Sequence, residues 1–131
     1  MPHGKVLIVD DEPSFRRALR ASLAAHGFDV AEASTGEQAL ALFGADPCDA
    51  VLLDVDMPGM GGIEACRELR RRDPRLQIMM VTVRDGPEDK VKAFDAGADD
   101  YVTKPFAMSE LLAHLGAAIR RSKATSTENR S

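Results

Sequence analysis

The chain has 131 residues, 44% hydrophobic and 29% charged, with 21 acidic against 17 basic side chains and a formal net charge of −4. These values describe one globular domain, and the acid excess excludes whole-surface binding to nucleic acid or to an anionic membrane, both of which require net positive potential. The longest apolar stretch, Ile78 to Val83, is far short of the roughly 20 residues that span a bilayer, and Met-Pro-His-Gly is no signal peptide. The protein is therefore expected in the cytoplasm, with no membrane contact and with Cys48 and Cys66 as reduced thiols.

Lys5 to Val9 is the first strand candidate, apolar through Val6-Leu7-Ile8-Val9. Phe15, Leu19 and Leu23 then recur every fourth residue and mark a helix face. Phe28 to Ala31 reads as the second strand, and Thr35-Gly36-Glu37-Gln38 has the spacing of a capping box that starts the second helix. Ala50 to Leu53 is the third strand; Ile63, Cys66 and Leu69 mark a third helix that Asp73-Pro74 should stop. Gln77 to Val81 is the fourth strand, Gly97 should end the fourth helix, Asp100 to Val102 is the fifth strand, and Leu111, Leu115 and Ile119 mark the fifth helix.

Three of these strands are apolar at consecutive positions, which a strand needs only when both faces of its sheet are covered. The succession is (βα)5. With right-handed crossovers it predicts a three-layer α/β sandwich around a parallel sheet.

Ligands of open α/β sheets bind beyond the carboxyl ends of the strands. There the sequence places Asp10, Asp11 and Glu12 after the first strand, Asp54 after the third, Thr82 after the fourth and Lys104 after the fifth. Crowded carboxylates repel, and a hard cation relieves them; carboxylates without His or Cys suit Mg²⁺ rather than Zn²⁺. A carboxylate beside Mg²⁺, with a hydroxyl and an ammonium to hold phosphoryl oxygens, suits an aspartyl phosphate. Asp54 is the nucleophile candidate, because it follows the central apolar run and precedes a turn, Met57-Pro58-Gly59, that is expected to leave it exposed. No GxGxxG, GxxxxGK[ST] or GxSxG is present, so dinucleotide, nucleoside triphosphate and hydrolase sites have no support.

Val6 to Pro13, Leu52 to Gly62 and Gly97 to Phe106, with Thr82 between the last two, resemble the receiver domain of two-component response regulators from Lys5 to about Arg121. The resemblance implies a doubly wound, flavodoxin-like sheet of order 2-1-3-4-5. It implies that Asp54 takes a phosphoryl group from the phosphohistidine of a sensor histidine kinase, and that Asp10, Asp11, Asp54 and the backbone carbonyl of Asp56 hold Mg²⁺. Thr82 and Lys104 would bind the phosphoryl oxygens, Tyr101 would turn inward as Thr82 moves, and the peptide bond before Pro105 would be cis. The chemistry would be self-directed phosphotransfer and autodephosphorylation rather than enzymatic turnover.

Gly97 to Phe106, Glu110-Leu111 and Arg120-Arg121 resemble the subfamily that pairs through the fourth and fifth helices and fifth strand when phosphorylated. That subfamily carries a winged-helix DNA-binding domain and controls transcription. Residues 1–122 are thus expected to form the receiver, with no direct nucleic-acid contact, and 123–131 a disordered tail or the start of a linker. An end at Ser131 is expected for a single-domain regulator or for a receiver cut from a longer chain.

The pattern has departures. Val83 is bulkier than the small residue usual after the hydroxyl, and should narrow phosphoryl access. Asp56 and Arg84 border the site mouth, and a salt bridge between them is expected to cover part of the phosphoryl group. His114 replaces the usual Arg, which predicts a weaker or pH-dependent dimer contact with Asp100; His3, His26 and His114 otherwise show no partner pattern and read as surface residues. Two alternatives differ in kind. Asp54-Val55-Asp56 is a DxD after a strand, as in haloacid-dehalogenase-type phosphatases, but there it follows the first strand. A receiver-like interaction module acting without phosphate would have lost Asp54, Lys104 or the acidic pair, all of which are present.

Overall fold

The computed structural model describes residues 3–128. Strands and helices alternate from end to end: β1 (Lys5–Val9), α1 (Pro13–Ala25), β2 (Asp29–Ala33), α2 (Gly36–Ala45), β3 (Ala50–Leu53), α3 (Gly61–Arg72), β4 (Gln77–Thr82), α4 (Pro87–Asp95), β5 (Asp100–Thr103) and α5 (Met108–Glu128). The sheet is parallel throughout, in the order β2-β1-β3-β4-β5, which is the flavodoxin-like fold.

Alternation along the strands divides the core in two. Leu7, Val9, Val51, Leu53, Ile78 and Met80 face α2, α3 and α4, where Phe43, Cys66, Leu69 and Ala93 meet them. Val6, Ile8, Leu52, Met79 and Val81 face α1 and α5, against Leu19, Leu23, Leu111, Leu115 and Ile119. Each fully buried large side chain contributes about 1.5–3 kcal/mol. Consecutive apolar residues in the central strands are therefore stabilising on both faces.

The chemistry at the element ends follows the sequence. Pro13 occupies the first turn of α1, where no N–H partner is needed, and the Glu12 carboxylate accepts from Ser14 N. Thr35 Oγ1 caps α2 by accepting from Gln38 N at 3.0 Å, while Gln38 Oε1 accepts from Ser34 N, one residue before the usual capping-box donor. Gly97, at φ +112°, closes α4: its N–H reaches Phe94 O and that of Ala98 reaches Ala93 O.

Some details differ from the sequence reading; β4 and β5 each run one residue further, to Thr82 and Thr103. The second strand runs Asp29–Ala33, and not Phe28 to Ala31, because Phe28 N bonds back to Leu23 O and its ring packs against His3. β2 is an edge strand whose Asp29 and Glu32 give no apolar signal. The backbone of α5 is helical through Glu128, past residue 122 where the receiver is expected to end; no Gly or Pro interrupts that stretch. Residues 129–131 of the expected tail lie outside the described residues. The expectation that His114 lacks a partner also fails, since its Nδ1 lies 2.6 Å from Asp100 Oδ2. Cys48 and Cys66 are free thiols, pushed up to about 12 and about 11 chiefly by burial. No helix among the described residues is long and apolar enough to cross a membrane.

Candidate functional site

Parallel strands place the residues after β1, β3, β4 and β5 on one edge of the sheet, and five of the predicted site residues meet there. Asp10 and Asp54 are buried, so the expectation that the Met57-Pro58-Gly59 turn leaves Asp54 exposed fails: its carboxylate is drawn back under the loop by Asp56 N and Lys104. Each carboxylate is fixed by its own loop: Asp10 Oδ1 accepts from Glu12 N at 2.9 Å, and Asp54 Oδ1 from Asp56 N at 3.0 Å. Their other oxygens share one ammonium, Lys104 Nζ, at 2.8 Å from Asp10 Oδ2 and 3.3 Å from Asp54 Oδ2. Desolvation opposes the charge on Lys104, but the hydrogen bond to Asp10 and the charge of Asp54 outweigh it and hold the amine above its ordinary range.

Asp11 completes an acidic triad with Asp10 and Asp54, their carboxylate oxygens lying within 4.8 Å of one another. One ammonium offsets one of three carboxylates, so the cluster keeps an excess of negative charge. Its donors are all oxygen, and Asp11 is exposed at the mouth. This donor set fits a hard divalent cation and offers nothing to a soft one.

Thr82, at the end of β4, is fully buried, and its Oγ1 accepts from Arg84 N at 3.4 Å. The expected Asp56–Arg84 salt bridge is present, with Arg84 Nε 2.6 Å from Asp56 Oδ1; Asp89 lies 3.7 Å from the same guanidinium. The pairing holds Arg84 above its ordinary pKa. Tyr101 is not turned into the site: its hydroxyl donates to Arg84 O at 2.7 Å, its ring lies beside Phe94, and Lys90 Nζ is 5.8 Å from the ring centroid. The Lys104–Pro105 peptide is cis. Val83 is 64% exposed, so its bulk stands at the rim rather than inside.

Gly62 fixes the height of the Asp54 loop, since a Cβ there would sit 2.0 Å from Asp54 O. Two groups escaped the sequence reading. Arg16 donates to Asp10 O at 2.7 Å and to Glu32 Oε1 at 2.9 Å, tying α1 to both β1 and β2. Phe15 lays its ring 4.0 Å from Lys104 Nζ. Both lie in the first turns of α1, five and six residues after Asp10. A helix starting directly behind a strand end returns such residues over it, which is the signal that could have found them.

A doubly wound sheet with an acidic cluster and a lysine at its carboxyl edge defines a class of small α/β domains whose chemistry sits entirely on the strand-end loops. Within that class the particular family is settled by comparison: the response regulator receiver domain model matches residues 6–116, and the chain belongs to that family. It is similar to response regulator MprA of Mycolicibacterium vanbaalenii, 47% identical over 117 residues, 89% of this chain and 51% of the relative. It spans about half the length of the curated relatives it matches. Among solved structures, a CheY-like receiver domain protein of Methanospirillum hungatei superposes with a TM-score of 0.89 at 27% identity, over 92% of this chain and 97% of that one. NtrX of Brucella abortus superposes with a TM-score of 0.91 at 27% identity, over 98% of this chain and 30% of that one.

Proposed function

We propose that this domain is a phosphorylation-operated switch in which Asp54 accepts a phosphoryl group from the phosphohistidine of a sensor histidine kinase. The observation that carries the reading is the shared ammonium: Lys104 Nζ reaches Asp10 and Asp54 together, with Asp11 beside them and the buried Thr82 hydroxyl on the next strand end. An Asp54 oxygen forms the new P–O bond as the P–N bond to imidazole breaks, and the imidazole leaves with the bonding pair. Lys104 and Thr82 then hold phosphoryl oxygens, with hydrogen bonds that strengthen as charge collects there. Mg²⁺, when bound, would supply positive charge against the phosphoryl oxygens, held by Asp10, Asp11, Asp54 and the carbonyl of Asp56. The reaction modifies the domain itself and is reversed by hydrolysis, so this is not an enzyme with an external substrate.

A phosphoryl group adds about −1.5 to −2 charges at this edge. As Thr82 moves toward it, Tyr101 leaves Arg84 O and turns inward, changing the surface formed by α4, β5 and α5. That surface is where two phosphorylated copies would pair. The output proposed is transcription, through a DNA-binding domain of a longer chain; the roughly double length of the MprA relatives leaves room for such a domain. The reading puts the domain in the cytoplasm with its kinase.

Intact mass after incubation with acetyl phosphate and Mg²⁺ tests this. A gain of one phosphoryl group that is lost in Asp54→Asn is expected. No gain, or a gain surviving the substitution, overturns it, the first in favour of an interaction module that works without phosphate.

A further inference from the structure

Lys104 carries the only ammonium in the acidic cluster among the described residues, and two of its directions are taken by Asp10 Oδ2 and Asp54 Oδ2. On another side lies the Phe15 ring, its centroid 4.0 Å from Nζ, well inside the about 6 Å at which a cation is drawn to an aromatic face. That ring is itself braced. Phe106, two residues beyond Lys104 on the same loop, meets Phe15 edge to face at 6.2 Å and 89°. Phe15, Phe106, Pro105 and Val83 also wall an apolar groove beside the lysine, and the Lys104 side chain is only 16% exposed.

We propose that Phe15 is a positioning residue for Lys104: its ring face excludes water from one side of the ammonium and keeps it aimed at the Asp54 oxygens. A lysine on a flexible four-carbon stem otherwise turns its charge toward solvent. The carboxylates alone do not prevent this, because they leave an N–H free to draw the head group outward. The ring offers that N–H a weak, non-exchanging partner in place of water, and so shortens the search for the orientation that meets a phosphoryl oxygen. Its role in phosphoryl transfer rests on the switch reading above; the orientation of Lys104 does not.

The test compares the wild-type chain with Phe15→Leu, which keeps apolar bulk, and Phe15→Tyr, which keeps the ring face. Phe15→Met replaces Phe15→Leu if the latter fails to fold by circular dichroism. Two quantities are read: exchange of the Lys104 ammonium protons with water, by ¹⁵N-lysine NMR, and the rate of phosphoryl uptake from acetyl phosphate with Mg²⁺. Phe15→Leu is expected to speed the exchange and slow the uptake by about 5-fold each, with Phe15→Tyr close to wild type in both. Unchanged exchange in Phe15→Leu overturns the proposal, as does Phe15→Tyr behaving like Phe15→Leu. Faster exchange with unaltered uptake overturns the positioning role. If the wild type takes up no phosphoryl group, the switch reading fails instead, and the exchange rates alone decide whether Phe15 orients Lys104.

Discussion

Arg84 and Asp56 form an ion pair, Nε to Oδ1 at 2.6 Å, and the backbone of each partner also donates into the site. Asp56 N reaches Asp54 Oδ1, and Arg84 N reaches Thr82 Oγ1. The pair therefore ties together the two loops that carry the proposed acceptor and its hydroxyl, while Arg84 O holds the Tyr101 hydroxyl. The bridge is exposed, so its worth to folding is small. On the proposed function its effect would be felt in the phosphorylated state, where it would cover the mouth. Arg84→Ala is expected to shorten the phosphoryl half-life by about 2- to 5-fold, with melting temperature nearly unchanged; an unaltered half-life would remove the cover from the account.

Tyr101 is the sole tyrosine, and the chain has no tryptophan. Near-ultraviolet emission thus reports on one ring, whose hydroxyl donates to Arg84 O. Acetyl phosphate with Mg²⁺ should change that emission in the wild type and leave Asp54→Asn unaltered. Burial, followed by the charge of Asp89, raises the phenol above its ordinary value of 10.0, so spectrophotometric ionisation should fall above that pH.

Cation binding by the acidic triad should appear as stabilisation, because a ligand bound only by the folded chain raises its stability by mass action. At a hundredfold excess over its dissociation constant, Mg²⁺ contributes about 2.7 kcal/mol, or about 10 °C in melting temperature for a domain of this size. Asp11→Asn is the variant of choice. Asp11 is exposed and takes no part in the Lys104 pairing, so the substitution should spare the metal-free fold while removing most of the Mg²⁺ increment. Chelator should return the wild type to its metal-free melting temperature.

Gly62→Ala tests how tightly α3 is pressed against the Asp54 loop. The added Cβ would meet Asp54 O at 2.0 Å, and backbone cannot rotate aside as a side chain can. A loss of about 3 kcal/mol in urea unfolding is expected, at the upper end of overpacking costs. Phosphoryl uptake should fall with it, since the displaced carbonyl belongs to the proposed acceptor.

Glu32 bears on acid stability. Burial raises its carboxyl pKa, but hydrogen bonds from Arg20 and Arg16 outweigh this and hold it below the ordinary 4.5. A depressed folded value means that its contribution is complete above pH 4.5 and is lost as pH falls through the folded value. Glu32→Gln should therefore lower the melting temperature at neutral pH and flatten its fall below pH 4.5. An acid limb identical to wild type would count against the Arg16–Glu32–Arg20 cluster as a source of acid sensitivity.

What the sequence determined by itself was local. Runs such as Val6 to Val9 and Ile78 to Val81 announce strands covered on both faces, because period and burial are properties of neighbouring residues. Chain order then fixes which residues stand at strand ends, so Asp10, Asp11, Asp54, Thr82 and Lys104 could be gathered at one edge before any coordinates. The Asp56–Arg84 pair was legible for the same reason, each partner lying two residues past a strand-end group. Tertiary structure alone decided the pairings that no local pattern encodes. Arg70 closes the opposite end of the sheet, donating to Leu76 O, to Gly97 O and to Asp99 Oδ2, which also accepts from Ile78 N. His114 takes Asp100 within its own chain, Arg16 holds the carbonyl of Asp10, and Phe15 faces Lys104. A long side chain chooses among many acceptors by distance and by what water it can shed, and both are set only once helices have packed on the sheet.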